Sequence, residues 1–188
     1  SVPLTFNGGM SSMTGQLPTA WRYFTVTVPA GVNGWDIRLK NITSGTPQMV
    51  VRRDELPSNT GTGPWPYPYT YTNWPTGYRW GGGDDWTGRY YDIGAPTYAE
   101  PGDRLVSGMG HPLEPGTYYV GVYNADSSQN AAYTVESRGI GTGQLLPVTN
   151  LNYTAGSSAT ITDLPPREAA YFKVTIPAGM PSWEFTLA

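Results

Sequence analysis

The 188-residue chain contains no cysteine. That excludes disulfides, thiolate metal sites, iron–sulfur clusters and cysteine nucleophiles. It leaves the compartment open, because a chain of this length can build a core without disulfide staples. Charge is scarce too: Asp, Glu, Lys and Arg together make 13% of residues, the net charge is −3, and Lys40 and Lys173 are the only lysines. Electrostatic binding of nucleic acid or of an anionic membrane is excluded on that balance. No run approaches the roughly 18 apolar residues that a membrane-spanning helix requires. No stretch keeps a helical period over two turns, and 24 glycines and 18 prolines interrupt helices throughout. His111 is the single histidine, so any Ser–His arrangement must use it. It sits in Gly110-His111-Pro112 with no nucleophile elbow nearby, which reads as a loop bystander and predicts no catalytic residue. The opening Ser1-Val2-Pro3-Leu4 has neither Met nor an apolar leader region, as expected of a mature or excised piece of a longer protein.

What is abundant is aromatic: Trp, Tyr and Phe equal the charged residues at 13%, a balance foreign to disordered chains. Short period-two segments bounded by Gly, Pro, Asn or Asp predict strands. Tyr23-Phe24-Thr25-Val26-Thr27-Val28 sets its threonines on one face, and Trp35-Asp36-Ile37-Arg38-Leu39-Lys40 sets Trp35, Ile37 and Leu39 on one face. Gln48-Met49-Val50-Val51-Arg52 follows. Thr117 to Asn124 and Ala132 to Ser137 are expected to form a hairpin around Asp126-Ser127-Ser128. Residues 1–16 and 146–163 are also compatible with strands. The fold class expected is all-β, an antiparallel β-sandwich of jelly-roll type.

An internal repeat organises the chain. Tyr23-Phe24-Thr25-Val26-Thr27-Val28-Pro29-Ala30-Gly31 returns 148 positions later as Tyr171-Phe172-Lys173-Val174-Thr175-Ile176-Pro177-Ala178-Gly179, and the register holds through Trp35-Asp36 and Trp183-Glu184 to Leu39 and Leu187. The reading is one complete unit, residues 1–145, joined through Thr142-Gly143-Gln144-Leu145-Leu146-Pro147 to the opening half of a second, residues 146–188. A half-sandwich buries too little apolar area to fold alone. The expectation is that the natural chain continues, or that this half packs on the first unit or on another molecule.

The ordered set Tyr23-Phe24-x-Val26-x-Val28-Pro29-Ala30-Gly31, Trp35-Asp36-Ile37-Arg38-Leu39, Val50-Val51-Arg52-Arg53 and Glu114-Pro115-Gly116-Thr117-Tyr118-Tyr119-Val120-Gly121-Val122-Tyr123 resembles the bacterial pre-peptidase C-terminal (PPC) domain. It covers the first unit apart from a long insert at about 57–98, and the opening half of the second. The resemblance implies a secreted, non-catalytic sandwich that accompanies hydrolases or stands in tandem in surface proteins, with collagen, polysaccharide or calcium bound by some relatives. Where the family commonly has an acidic Asp-x-Asp at the start of the second strand, this chain has Trp35-Asp36-Ile37-Arg38, which weakens calcium by analogy.

The insert holds ten aromatic residues: Trp65, Tyr67, Tyr69, Tyr71, Trp74, Tyr78, Trp80, Trp86, Tyr90 and Tyr91. Threaded through proline and glycine, they predict a stiff excursion whose rings either stack on sugars and protein partners or form a satellite core under their own loop. Asp84, Asp85 and Asp92 are calcium candidates by residue type, but their spacing fits no EF-hand loop, and a solvated turn or a pairing with Arg79 or Arg89 explains them more simply. Asn41-Ile42-Thr43 and Asn152-Tyr153-Thr154 match the glycosylation triplet, which arises often by chance. The expectation is thus a non-catalytic extracellular or cell-surface structural or adhesive module without a cofactor, part of a tandem array or head-to-tail assembly. Its partner would be another protein or copies of itself. The alternative is a carbohydrate-binding accessory module of a secreted hydrolase or peptidase.

Overall fold

A computed structural model describes residues 1–57, 113–154, 156–165 and 168–187, together with the backbone of 72–73, 79–80 and 105–109. The strands are β1 (Val2–Leu4), β2 (Gly9–Gln16), β3 (Trp21–Val28), β4 (Gly34–Ser44), β5 (Pro47–Arg53), β6 (Thr72–Asn73), β7 (Arg79–Trp80), β8 (Leu105–Met109), β9 (Gly116–Asn124), β10 (Ala131–Ile140), β11 (Val148–Leu151) and β12 (Tyr171–Val174). There is no helix among the described residues.

Two four-stranded sheets face each other, one ordered β1-β3-β9-β5 and the other β2-β10-β4-β8. Their pairs are antiparallel except β1 with β3, which run parallel from Val2 opposite Phe24 to Leu4 opposite Val26. The period-two pattern decides what goes inside. Phe24, Val26 and Val28 of β3 point inward, meeting Trp35, Ile37 and Leu39 of β4, with Val120, Val122 and Val135 completing the core. The indole of Trp35 packs edge-on against Tyr118 at 5.4 Å and donates to Ser137 Oγ at 2.8 Å, so its one polar atom is satisfied at full burial. Tyr118 itself donates to the carbonyl of Glu114 at 2.8 Å, tying down the turn that launches β9.

The hairpin expected around residues 126–128 is not formed. β9 belongs to the first sheet, between β3 and β5, while β10 belongs to the second, between β2 and β4. Both edges of each strand are already occupied, so the short loop crosses from sheet to sheet and the two strands face one another through the core. Polar anchors hold that crossing. Asn124, fully buried, donates to the carbonyls of Gln16, Leu17 and Gln129 at 3.2, 3.3 and 2.8 Å, and its Oδ1 accepts from the amides of Thr46 and Asp126. Asp126 Oδ1 then accepts the amides of Ser128 and Gln129, both at 2.8 Å, and these bonds hold its carboxyl below the ordinary carboxylate range. Gln16, also buried, donates to the carbonyls of Ala20 and Val122 and accepts from Tyr133.

Three strands were not expected from the sequence. β8 is short and contains a glycine, and it forms because β4 offers a free edge from Trp35 to Leu39. β6 and β7 pair over two residues inside the proline-rich insert. The C-terminal segment forms one pair, β11 with β12, parallel from Val148 opposite Tyr171 to Leu151 opposite Val174. No strand covers residues 152–154 or 156–163, which the sequence pattern allowed.

Asn124→Ala would remove five hydrogen bonds, three to carbonyls and two from amides, at a partly buried corner. Its expected cost is about 3 kcal/mol, read as a lower urea midpoint with an unchanged slope.

Candidate functional site

Alternation puts Asp36, Arg38 and Lys40 on the outer face of β4, opposite the core residues. The register β10 to β4 sets Arg138 beside Asp36 and Glu136 beside Arg38 on that same face. An outward charge on a sheet is ordinarily solvated, yet here Asp36 is 0% and Arg38 1% exposed. What satisfies them is mutual pairing and one residue from far along the chain. Arg38 donates through Nε and Nη2 to the two carboxylate oxygens of Asp36 at 2.8 and 3.0 Å. Its Nη1 and Nη2 donate to the two oxygens of Glu168 at 2.7 and 3.0 Å. Arg138 Nη2 bridges both acids, at 3.1 Å to Asp36 and 3.0 Å to Glu168. Two guanidinium groups and two carboxylates thus close a neutral cluster across β4, β10 and the stretch that leads into β12. Lys40 and Glu136 extend the stripe as a neighbouring ion pair at 2.6 Å.

Burial alone would favour a neutral Arg38, but the bonds and charge of Asp36, then those of Glu168, outweigh it and hold the guanidinium proton more tightly than usual. The same balance works in reverse for Glu168. Burial pushes its carboxyl up, and the hydrogen bond from Arg138 with the charges of both arginines pulls it below its ordinary value. Burial raises the phenol of Tyr171, the first residue of β12, well above the ordinary range. Buried ion pairs contribute little net stability compared with apolar packing, because desolvation cancels most of the attraction. The cluster's effect is on geometry: bidentate arginine–carboxylate pairs tolerate few relative orientations, so Glu168 fixes where the C-terminal segment meets the sandwich. The join is pinned as well, since Asn7 Oδ1 accepts from the amides of Gly139 and Leu145 at 3.2 and 2.9 Å.

Arg38 gives Asp36 a resident positive charge, and both Asp36 oxygens are occupied by guanidinium donors. Among the described residues no group of His, Asp and Glu is arranged to hold a metal. The aromatic platform Trp65, Tyr67, Tyr69, Tyr71, Trp74, Tyr78, Trp80, Trp86, Tyr90 and Tyr91 lies outside the described residues, apart from the Trp80 backbone in β7. Asp84, Asp85, Asp92 and His111 lie outside them too.

A second aromatic group went unnoticed in the sequence. On the outer face of the first sheet Trp21 and Tyr23 lie with rings parallel to within 2° at 5.7 Å, and Tyr123 tilts against Trp21 at 5.1 Å. Gly121 makes room for them: a β-carbon there would stand 2.9 Å from the Trp21 ring. The signal was available in the alternation, since Trp21 and Tyr23 share a strand face. Glu168 had no such signal, because its partners are 130 and 30 residues away.

Glu168→Gln leaves two guanidinium groups facing one carboxylate and should loosen the C-terminal segment by roughly 2 kcal/mol, seen as faster amide exchange in β12 with β9 and β10 unchanged. Arg38→Met removes the bidentate partner of the buried Asp36 and should cost roughly 3–5 kcal/mol in the sandwich itself. The docking is pH-dependent in one direction. Because the folded Glu168 titrates below its ordinary 4.5, its contribution is complete above that value and is lost as pH falls through the lowered one. Exchange in β12 should therefore quicken in acid, and the Gln variant should not show that dependence.

No family model matches the chain, and no curated protein matches it. Among solved structures, the pre-peptidase C-terminal domain of a collagenase from Bacillus anthracis is similar, with a TM-score of 0.41 and 14% identity over 72% of this chain and 92% of that one. That domain carries the name of the family that the sequence motifs resemble.

Proposed function

We propose that this chain is a non-catalytic structural or adhesive module of a bacterial extracellular or cell-surface protein, whose work is to hold neighbouring units at a fixed spacing in a tandem array or head-to-tail assembly. The observation that carries this reading is the neutral cluster of Asp36, Arg38, Arg138 and Glu168. Its charges are spent on one another across a junction between segments, which suits a spacer and leaves no group there free to attack a substrate. A fixed junction predicts a single inter-segment orientation. Paramagnetic relaxation from a spin label in the sandwich should give one narrow set of distances to β12 amides, broadening in Glu168→Gln. Independent motion of the two segments in the unaltered protein would overturn the spacer reading.

A second reading, a carbohydrate-binding accessory module of a secreted hydrolase or peptidase, is favoured by the parallel rings of Trp21 and Tyr23 beside Tyr123. Flat, half-buried rings on a rigid strand suit stacking on sugar faces. Affinity electrophoresis in gels containing soluble polysaccharides tests it. Retardation that Trp21→Ala lowers several-fold would support it, and unaltered mobility in every gel would remove it.

A further inference from the structure

We infer that the outer face of the first sheet is a binding site for an uncharged polysaccharide, and that Thr19, at its rim, is a binding residue. The inference rests on the carbohydrate-binding reading and adds to it the class of sugar and a contact that the rings do not supply.

Strand register lays that face out in rows. Across β3, β9 and β5, Tyr123 stands between Trp21 and Gln48, and Tyr119 stands between Thr25 and Arg52. Val51, Tyr118, Val120 and Val122 fill the core from the alternate positions, so these side chains face outward. All are half-buried, as is Tyr23 between the rows. The rings are fixed by the sheet itself: a β-carbon at Gly121 would meet the Trp21 ring at 2.9 Å and Pro57 at 3.2 Å. The charge pattern selects the ligand. Among the described residues, Arg52 is the only charged one at the outward positions of β3, β5 and β9, and Glu55 neutralises it. An acidic polysaccharide would find no free cation there. A neutral sugar would set its C–H faces on the rings, while the Gln48 amide and the Thr25 hydroxyl offer donors and acceptors to its hydroxyl groups.

The rim carries a second, independent observation. Thr19 has a φ of 56°, and among the described residues the other non-glycine residues with positive φ are Asn41, Asp54 and Asp163. Asn and Asp tolerate the left-handed conformation, whereas a β-branched side chain is strained in it. The backbone of the buried Asn124 imposes it: the Thr19 amide donates to the Asn124 carbonyl at 2.9 Å, and the Asn124 amide donates to the carbonyl of Ala20 at 3.0 Å. These bonds continue the β3–β9 ladder past Trp21 and Tyr123, so Thr19 stands at the end where the row of Trp21, Tyr123 and Gln48 lies. Glycine would take this backbone without penalty. What threonine adds at that cost is an exposed side chain with a hydroxyl, two residues from Trp21. Strain of this kind concentrates at ligand sites.

Paired affinity gels test this, one set cast with neutral polysaccharides, a mixed-linkage β-glucan and a galactomannan, and the other with the anionic alginate and polygalacturonate. The whole chain should be retarded in a neutral gel and migrate freely in the anionic ones. Gln48→Ala should lower that retardation several-fold. Thr19→Gly should lower it too while raising the urea midpoint, a combination that a merely structural role for Thr19 would not give. Because Thr19→Gly relieves strain, it keeps the test open should Gln48→Ala misfold. Retardation confined to the anionic gels and lost in Trp21→Ala would overturn the inference and leave the carbohydrate-binding reading standing. Free migration in every gel would remove both. Undiminished retardation of Thr19→Gly would overturn its part as a binding residue. Self-association in light scattering that Trp21→Ala abolishes would also overturn the inference, by assigning the face to a second copy of this chain.

Discussion

β10 separates β2 from β4, and β9 separates β3 from β5. β9 and β10 are thus the templates on which β2, β3 and β4 assemble, and the two sheets form only when both are present. Fully buried apolar side chains contribute about 1.5–3 kcal/mol each, but β3 and β4 collect that contribution only where β9 and β10 hold the other side. The interleaving makes the sandwich an all-or-none object. It also explains why the same sequence pattern, Tyr-Phe-x-Val followed by Trp and Leu, gives core residues at 24–39 and exposed ones at 172–187. Local propensity is the same in both places, and the difference lies in long-range pairing.

That division marks what a reader of the sequence can obtain. Alternation is a local property, so β3, β4, β5, β9 and β10 and the inward set Trp35, Ile37 and Leu39 were legible. So was the all-β class. Pairing between distant strands is not local. The stretch around Asp126 has the composition of a hairpin turn, and only the prior claims of β2, β3, β4 and β5 on the edges of β9 and β10 force it to cross between sheets. β8 was missed for a related reason, since its partner edge rather than its composition makes it a strand. The candidate site divides the same way. Trp21 and Tyr23 share a strand face by alternation but were not expected as a site, whereas the charge cluster needed three segments brought together and one charged face covered.

The cluster also accounts for a feature of composition. With so few charged residues, two of them buried and two half-buried in one place is a large share, and neutrality is what makes their burial tolerable. An apolar substitute would pack as well, but it would permit sliding along the sheet face. Bidentate geometry at Arg38 restricts the C-terminal segment to one placement, while Asn7 restricts the join. Two polar anchors thereby set the direction in which β11 and β12 leave a sandwich whose stability resides elsewhere.

The junction is not itself repeated. At the spacing of 148, Arg38 answers to Thr186, Asp36 to Glu184 and Glu168 to Ala20. A second sandwich built on residues 146–187 would keep an acid at the Asp36 position and lose the guanidinium that neutralises it, and the stretch leading into β3 offers no carboxylate equivalent to Glu168. The lock is therefore particular to the junction between this sandwich and the segment that follows it, and another junction of the array would need a different set of contacts. Glu184, exposed and without a guanidinium at position 186, would have to find its counter-charge on whatever completes that half, and in the sandwich the residue beside Asp36 on the neighbouring strand is Arg138 of β10.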